Sequence, residues 1–196
     1  IDFSIFKSDK IDMERAKKFK EEHGIKETTK VFLLLGRVAK EKSMDVSVRD
    51  FAHYHQKHPE VDKKLLVVGD GPYREELELL CEELGISHLV DFIGFVPATE
   101  VPFYYHLADI YTSASITETQ GLTFMEAMAA GKIVLARFDS NLTGTIINGK
   151  TGFFFTDDAS FVSQVEKILS LSKEQKQAII DEAYRIVDVY SIDKFY

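Results

Sequence analysis

Two pairs of charged residues in this chain have types and spacings that suit a phosphorylated ligand. Arg37 and Lys42 follow the apolar run at residues 31–35. Arginine offers a planar fork of hydrogen-bond donors and lysine a compact point charge, and both bind phosphate. Glu118 and Glu126 lie eight residues apart, a spacing that lets two carboxylates bracket a bound anion and accept hydrogen bonds from its hydroxyl groups. Taken singly, each of the four also fits an ordinary solvated position.

Residues 112–131 predict the element that positions the two acids. This stretch is typical of a strand end, a polar loop and a helix that begins near Gly121. The free N–H groups of Gly121, Leu122 and Thr123, together with the helix dipole, suit a phosphate. At 1.5 Å per residue, Glu126 then lies about 7 to 8 Å further along the helix, within reach of a ribose.

Six short apolar runs alternate with longer amphipathic segments. The runs predict buried strands at residues 31–35, 65–68, 90–93, 110–112, 133–136 and 152–155. The segments predict helices at residues 12–23, 73–84, 121–130, 158–171 and 173–189. This alternation predicts an α/β fold with a doubly wound, mostly parallel sheet, in which ligands bind beyond the carboxyl ends of the strands.

We expect a single domain, since no low-complexity or linker-like run interrupts the chain. Its parts are a lead-in at residues 1–29, a Rossmann-like core at residues 30–156 and C-terminal helices at residues 157–196. The first residue is Ile1 rather than methionine, so we expect this to be a piece of a longer protein.

The composition is that of an acidic globular domain. There are 24 Lys and Arg against 32 Asp and Glu, a formal charge of −8, which argues against nonspecific binding to nucleic acid. With 45% apolar and 29% charged residues the chain can bury a core, and no apolar run approaches the roughly 18 residues that cross a bilayer. The single cysteine, Cys81, cannot form an internal disulfide, which suits the cytoplasm.

A glycine-rich loop follows the second predicted strand. It begins like a dinucleotide-binding fingerprint with Gly69 and Gly71, but Arg74 occupies the third glycine position. A plain turn with Pro72 at a helix start explains the same residues equally well. No Walker A sequence occurs in the chain, which disfavours a P-loop nucleotidase.

Other chemically versatile residues have simpler explanations. A metal site at His53, His55 and His58 is disfavoured, because His53 lies off the face shared by the other two and no carboxylate is placed beside them. The aromatic run at residues 102–106 is expected to pack in the core, although such rings also stack on nucleotide bases. Core packing is likewise expected for Cys81 and for residues 153–155.

The two acids and the residues around them resemble the signature of the retaining glycosyltransferases of family 4, which have the GT-B fold. The signature is Glu118-x7-Glu126, followed by Ala127-Met128-Ala129-Ala130-Gly131. Supporting segments occur in the family's order over residues 31–155: Gly36-Arg37 with Lys42, Gly69-Asp70-Gly71-Pro72, Gly94-Phe95-Val96, Ala108-Asp109, and Asn148-Gly149 with Thr151-Gly152-Phe153. In this family the C-terminal half of a two-domain enzyme binds the sugar nucleotide, and this chain resembles that half.

The resemblance implies a role for each matched residue. The catalytic group is Arg37 and Lys42, which would hold the diphosphate, and Glu118, which would bind hydroxyls of the donor sugar. Glu126 would bind the ribose, and the loop at Phe95 and Val96 would frame the base. The other donor-binding residues are Gly36, Gln120, Gly121, Leu122 and Thr123. No metal or other cofactor is expected.

At three places this sequence differs from the family's usual pattern, and the differences indicate a resemblance to one group within the family. Ser43 replaces the usual glycine after Lys42, Thr119-Gln120-Gly121 replaces a small-aromatic-glycine sequence, and the loop at residues 138–144 lacks the common double glycine. This variant is similar to bacterial diacylglycerol glucosyltransferases. It implies transfer of glucose from UDP-glucose to diacylglycerol by an enzyme at the inner face of the cell membrane, whose missing N-terminal half would bind the lipid.

Two alternatives stay open at this point. A dinucleotide-dependent oxidoreductase would share the alternating fold, and a non-catalytic nucleotide-sugar-binding domain would share the site. The isolated chain is expected to be inactive in transfer under the glycosyltransferase interpretation, because the acceptor-side groups would belong to the missing half.

Overall fold

The computed structural model describes residues 2–7, 11–116 and 120–191, and its centre is a six-stranded parallel sheet. The strand order is β3-β2-β1-β4-β5-β6. The strands are β1 (Lys30–Leu35), β2 (Lys63–Val68), β3 (Val90–Gly94), β4 (Ile110–Ser113), β5 (Ile133–Arg137) and β6 (Phe153–Phe155). This is the doubly wound α/β order, in which the chain reverses its direction of travel between β1 and β4.

Helices cover both faces of the sheet. Within the described residues they are α1 (Met13–Glu22), α2 (Met44–Lys57), α3 (Arg74–Glu83), α4 (Val101–Leu107), α5 (Gln120–Ala129), α6 (Asp158–Leu169) and α7 (Lys173–Val189). A 3-10 helix at Ser4–Phe6 precedes them. No described helix has both the length and the apolar character that a membrane crossing needs.

Alternate residues of each strand point to opposite faces of the sheet and pack into two separate apolar cores. In β1, Phe32 and Leu34 join the core beneath α2, α3 and α6, while Val31 and Leu33 join the core beneath α4, α5 and α7. Burial on both faces explains why the strands are continuous apolar runs in the sequence. The six predicted strands are confirmed.

Two strands begin at lysines, which a search for continuous apolar runs does not include. β1 begins at Lys30 and β2 at Lys63, whereas the sequence predicts starts at residues 31 and 65. Lys63 is buried, and its Nζ lies 2.7 Å from Nδ1 of His55. Because the half-buried His55 is a polar partner for the amine, hydrophobicity alone misses the start of this strand.

The helix boundaries follow from local capping. Asp12 accepts hydrogen bonds from the backbone of Glu14 and Arg15, so α1 begins at Met13. Reciprocal capping boxes lie at the starts of α6 and α7, where Asp157 and Ser172 are the N-caps and pair with Ser160 and Gln175, respectively. Pro72 lies in the turn directly before Tyr73, the N-cap of α3, so the turn at a helix start that the sequence suggests is present, and the helix itself begins at Arg74.

Candidate functional site

A cavity of about 360 Å³ opens at the carboxyl ends of β1 and β2. Four of the residues singled out from the sequence line it: Gly36, Arg37, Phe95 and Val96. The ring of Phe95 is 78% exposed, although rings of this size are normally covered. The cavity therefore combines a cation with an accessible aromatic face, which suits a ligand with a charged part and a planar part.

The glycines beside this cavity are required by backbone packing. A Cβ on Gly69 would lie 1.9 Å from the carbonyl oxygen of Gly36, and one on Gly71 would lie 2.3 Å from that of Val38. Backbone hydrogen bonds join the same loops, from Gly36 N–H to Val68 O at 3.0 Å and from Val38 N–H to Asp70 O at 3.1 Å. Close approach of two loops thus accounts for the Gly-x-Gly sequence without a dinucleotide.

Arg37 presents an exposed guanidinium at the end of β1. Its side chain forms no ion pair or hydrogen bond with the part of the chain that the structure describes. Most other described arginines are paired: Arg15 with Glu100, Arg74 with Glu78 and Arg185 with Glu182. Asp70 lines the same cavity but lies 3.8 Å from Arg74, and no described ion pair joins it to Arg37, so this guanidinium is available to an anionic ligand.

Lys42 lies at the point between β1 and β4 where the chain reverses its direction across the sheet. It ends the short 3-10 helix Lys40–Lys42 and lines a narrow space with Thr112 and Ser113, the last residues of β4. Arg37 and Lys42 thus come from the same loop but border two spaces at the same edge of the sheet. Ligands of doubly wound sheets bind at this reversal point.

Ser43 explains why the resembled family has a glycine at this position. Its φ of 52° lies in the left-handed region, and it is the one non-glycine residue of the described chain with a positive φ. An L side chain destabilises this conformation by about 1 kcal/mol or more, whereas glycine adopts it freely. The turn between Lys42 and α2 therefore has a backbone conformation that favours glycine, although a serine occupies it here.

The helix beyond β4 begins one residue earlier than predicted. α5 starts at Gln120, so the amides of Gly121 and Leu122 lie in its first turn, where N–H groups have no acceptor within the helix. Thr123 and Glu126 follow on the same helix. Glu118 and the loop residues 117–119 lie outside the described residues, and the side chain of Gln120 is not described.

Glu126 is held by a tyrosine that the sequence interpretation left out of the site. The hydroxyl of Tyr105, from α4, donates to Oε2 of Glu126 at 2.9 Å and lies 3.1 Å from the carbonyl oxygen of Thr123. Burial raises the pKa of Glu126, and the hydrogen bond from Tyr105 acts against that increase. The one sequence signal for this contact is a tyrosine, rather than a phenylalanine, within a core segment, because a buried hydroxyl needs a partner.

The remaining sequence candidates are placed as core or surface. The rings at Phe103, Tyr104 and Tyr105 are buried, as expected for residues 102–106, and so is Cys81, where burial raises the pKa of the thiol to about 11. Phe153 and Phe155 also pack in the core.

The expectation that no carboxylate lies beside the α2 histidines is wrong. His58 Nε2 lies 2.8 Å from Glu166, and Nδ1 lies 3.1 Å from Glu60. Glu166 belongs to α6 and is far away in sequence. Among the described residues, no group of three or more His, Cys, Asp or Glu side chains is arranged to hold a metal ion.

Relatives and solved structures match most of this chain. It is 34% identical to the alpha-monoglucosyldiacylglycerol synthase of Acholeplasma laidlawii over 152 residues, 78% of this chain and 38% of that protein. It is 30% identical to the alpha-monoglucosyldiacylglycerol synthase of Streptococcus pneumoniae over 182 residues, 93% of this chain and 41% of that protein. The crystal structure of Anabaena Alr3699/HepE in complex with UDP and glucose shares the fold with a TM-score of 0.81 at 21% identity, covering 97% of this chain and 51% of that one.

The chain thus spans about two-fifths of the length of the two curated relatives. A family model described as glycosyl transferases group 1 matches residues 15–185, which include all six strands and the whole cationic edge. The Rossmann-like sheet and the family resemblance predicted from the sequence are confirmed, and the chain belongs to the group 1 glycosyl transferases.

Proposed function

We propose that this chain is the sugar-nucleotide-binding half of a retaining glycosyltransferase and that its donor is UDP-glucose. The observation that carries the proposal is the exposed Arg37, which pairs with no residue that the structure describes, at the cavity over the carboxyl ends of β1 and β2. The structural neighbour with UDP and glucose has the same fold, which supports a nucleotide sugar as the ligand.

Each described part of the edge suits one part of such a donor. The exposed ring of Phe95 and the neighbouring Val96 offer a stacking surface to the base. Arg37 and Lys42 supply positive charge to the diphosphate, and the first turn of α5 adds amide donors. Glu126 accepts hydrogen bonds from ribose hydroxyls, and Glu118 is assigned to the hydroxyls of the sugar.

The chemical task of this half is stabilisation of the leaving group. Negative charge grows on the diphosphate as the glycosidic bond breaks, and fixed cations and helix amides stabilise that charge more strongly than they stabilise the bound donor. Because these groups supply the positive charge, we propose that donor binding needs no divalent metal.

Diacylglycerol is proposed as the acceptor, on the strength of the names of the two curated relatives. The remainder of the full-length protein would bind the lipid and place the enzyme at the cytoplasmic face of the membrane. A chain of charge −8 is repelled by anionic lipids, so attachment would come from basic or amphipathic segments outside it.

A dinucleotide-dependent oxidoreductase is the weaker alternative. The Gly-x-Gly sequence that suggested it is explained by the packing of Gly69 and Gly71 on the neighbouring loop. A measurement of NAD(H) binding separates the two functions, because only the oxidoreductase requires it.

Calorimetric titration of the chain with UDP, GDP and ADP sugars, with and without EDTA, tests the donor. We expect UDP and UDP-glucose each to bind with the same affinity in the presence of EDTA as in its absence. Loss of binding in EDTA would overturn the metal-free site, and absence of UDP binding would overturn the donor assignment.

Substitutions of the two acids distinguish binding of the ribose from binding of the donor sugar. Glu126→Ala is expected to weaken both UDP and UDP-glucose, whereas Glu118→Ala should weaken UDP-glucose and leave UDP nearly unchanged. Equal losses for both ligands in both variants would contradict this division.

The acceptor requires the full-length enzyme and radiolabelled UDP-glucose. We expect transfer to diacylglycerol in vesicles, and neither transfer nor vesicle flotation by this chain alone. Preferred transfer to a soluble sugar or protein would remove the lipid while leaving the donor assignment intact.

A further inference from the structure

The hydroxyl of Tyr105 is the one polar group of the described chain that contacts the Glu126 side chain. Its single proton is directed at Oε2 of Glu126, 2.9 Å away, with the carbonyl oxygen of Thr123 at 3.1 Å as a second acceptor. Oε1 of Glu126 accepts no hydrogen bond from the described residues. One carboxylate oxygen is therefore held by the protein, and the other is available to a ligand.

Tyr105 is itself held rigidly. The residue is 0% exposed. Its ring packs edge-on against Phe6 of the first 3-10 helix, with centroids 5.7 Å apart, and against Tyr111 of β4, with centroids 5.4 Å apart. Because two other segments of the chain pack against the ring, tertiary packing sets the direction of the hydroxyl and with it the position of the Glu126 carboxylate.

The same hydroxyl affects the charge of the carboxyl group. Burial raises the pKa of Glu126, while donation from Tyr105 favours the ionised form. Tyr105 stays protonated, because burial, Tyr111 and Glu126 all raise its pKa well above 10. Among the described residues, Tyr105 is the one titratable group that acts on Glu126.

We propose that Tyr105 is a positioning residue of the donor site: it fixes Oε2 of Glu126 and keeps the carboxylate charged, so that Oε1 accepts from the hydroxyl groups of the nucleotide. This inference rests on the proposed function, since it assigns Glu126 to the donor. An ionised carboxylate accepts from two hydroxyls, whereas a protonated one loses an acceptor position.

Tyr105→Phe keeps the ring and removes only the hydroxyl. The matched control is Tyr104→Phe, on the same helix, because Tyr104 is also buried and its hydroxyl does not contact Glu126. NMR titration of the Glu126 carboxyl carbon in the free protein should show a higher pKa in Tyr105→Phe and no change in Tyr104→Phe. This readout does not depend on any ligand.

Calorimetry with UDP at pH 8 and pH 6 supplies the second readout. Tyr105→Phe should weaken UDP by about 3- to 10-fold at pH 8, the usual net effect of one hydrogen bond, and by more at pH 6. In a Glu126→Gln background, adding Tyr105→Phe should change UDP affinity little. A structural role would instead weaken binding equally at both pH values and in both backgrounds.

The outcomes are distinguishable. If the unaltered chain does not bind UDP, the proposed function fails. If it binds UDP and Tyr105→Phe binds equally well at both pH values, the proposed function survives and the role of Tyr105 is overturned. If Tyr105→Phe does not fold, replacement of Tyr105 by 3-fluorotyrosine decides: its more acidic hydroxyl donates more strongly and should lower the pKa of Glu126 in the NMR titration, and an unchanged pKa would overturn the role of Tyr105.

Discussion

The two edges of the sheet treat polar groups in opposite ways. At the amino edge, side chains tie the strand starts together: Asp109 accepts from the Val31 N–H at 2.8 Å, and Asp91 pairs with Lys64 at 3.0 Å. At the carboxyl edge, close backbone contacts at glycines join the loops, and the exposed Arg37 pairs with no residue of the described ranges. The amino edge stabilises the fold, whereas the carboxyl edge leaves charge available for a ligand.

Two ionisable groups, one at each edge, do not follow this difference between the edges. At the amino edge, burial lowers the pKa of Lys132 to about 8, and the nearby Asp109 opposes that shift. Under the carboxyl edge, Asp50 of α2 is 4% exposed, and its Oδ2 has no partner among the described residues. The difference between a stabilising amino edge and a ligand-binding carboxyl edge is therefore a tendency with exceptions. Substitutions at both edges test it.

Arg37→Ala should have the largest effect, and it should act on binding alone. We expect UDP affinity to fall by about 1.5–3 kcal/mol, the usual contribution of a hydrogen bond to a charged group, as measured by calorimetry. The free energy of unfolding should change by less than about 0.5 kcal/mol, because no protein partner is lost. Arg185→Ala, on α7, is the control for a lost surface charge. An unchanged UDP dissociation constant would remove Arg37 from the site.

Asp50→Asn should stabilise the protein at high pH. Burial, the largest cause, with Asp158 and Asp157, raises the pKa of Asp50 from 3.8 to about 7, against the opposing effect of Arg137. Between these pH values the folded protein holds a proton that the unfolded chain has lost, so this group destabilises the fold as pH rises.

The gain for Asp50→Asn is expected to be about 2 kcal/mol at pH 8, to become smaller as the pH falls through 7, and to vanish only at about pH 3.5, below both pKa values, as measured by urea denaturation. The same difference at both pH values would show that the charge of Asp50 is not what destabilises this edge.

Asp109→Ala tests the amino edge. The substitution leaves the Val31 N–H without its acceptor and removes the carboxylate that supports the charge of Lys132. We expect a loss of about 1–2 kcal/mol in the free energy of unfolding, with UDP affinity unchanged. A tenfold loss of UDP affinity at constant stability would break the division between the edges.

Ser43→Gly should have the smallest effect and the opposite sign. Relief of the left-handed strain at φ 52° is offset in part by the greater entropy of an unfolded glycine, so we expect a gain of about 0.5 kcal/mol. The Ser43 side chain makes no capping hydrogen bond that would be lost. A lower melting temperature for this variant would show that the serine side chain stabilises the turn.

The strands and the edge that carries the site were predictable because their signals are local. Buried parallel strands are continuous apolar runs, and the residues that follow them must lie at one edge. The start of β2 at Lys63 was not predictable in the same way, because the burial of that lysine depends on His55. Glu166 beside His58 was missed for the same reason, since it comes from a different helix, whereas Glu60 is only two residues from His58 and was visible in the sequence.

By itself, the sequence determined the element order, the doubly wound topology and the positions of Arg37, Lys42 and Glu126 after particular strands. Only the tertiary structure decided that Tyr105 holds Glu126 and that glycine contacts join the loops beside Arg37. Tyr105 and Glu126 are 21 residues apart, and Gly69 meets Gly36 across two strands. Periodicity reports which face of an element is buried, but the partner of a buried polar group depends on how those faces pack, and that is settled by the fold as a whole.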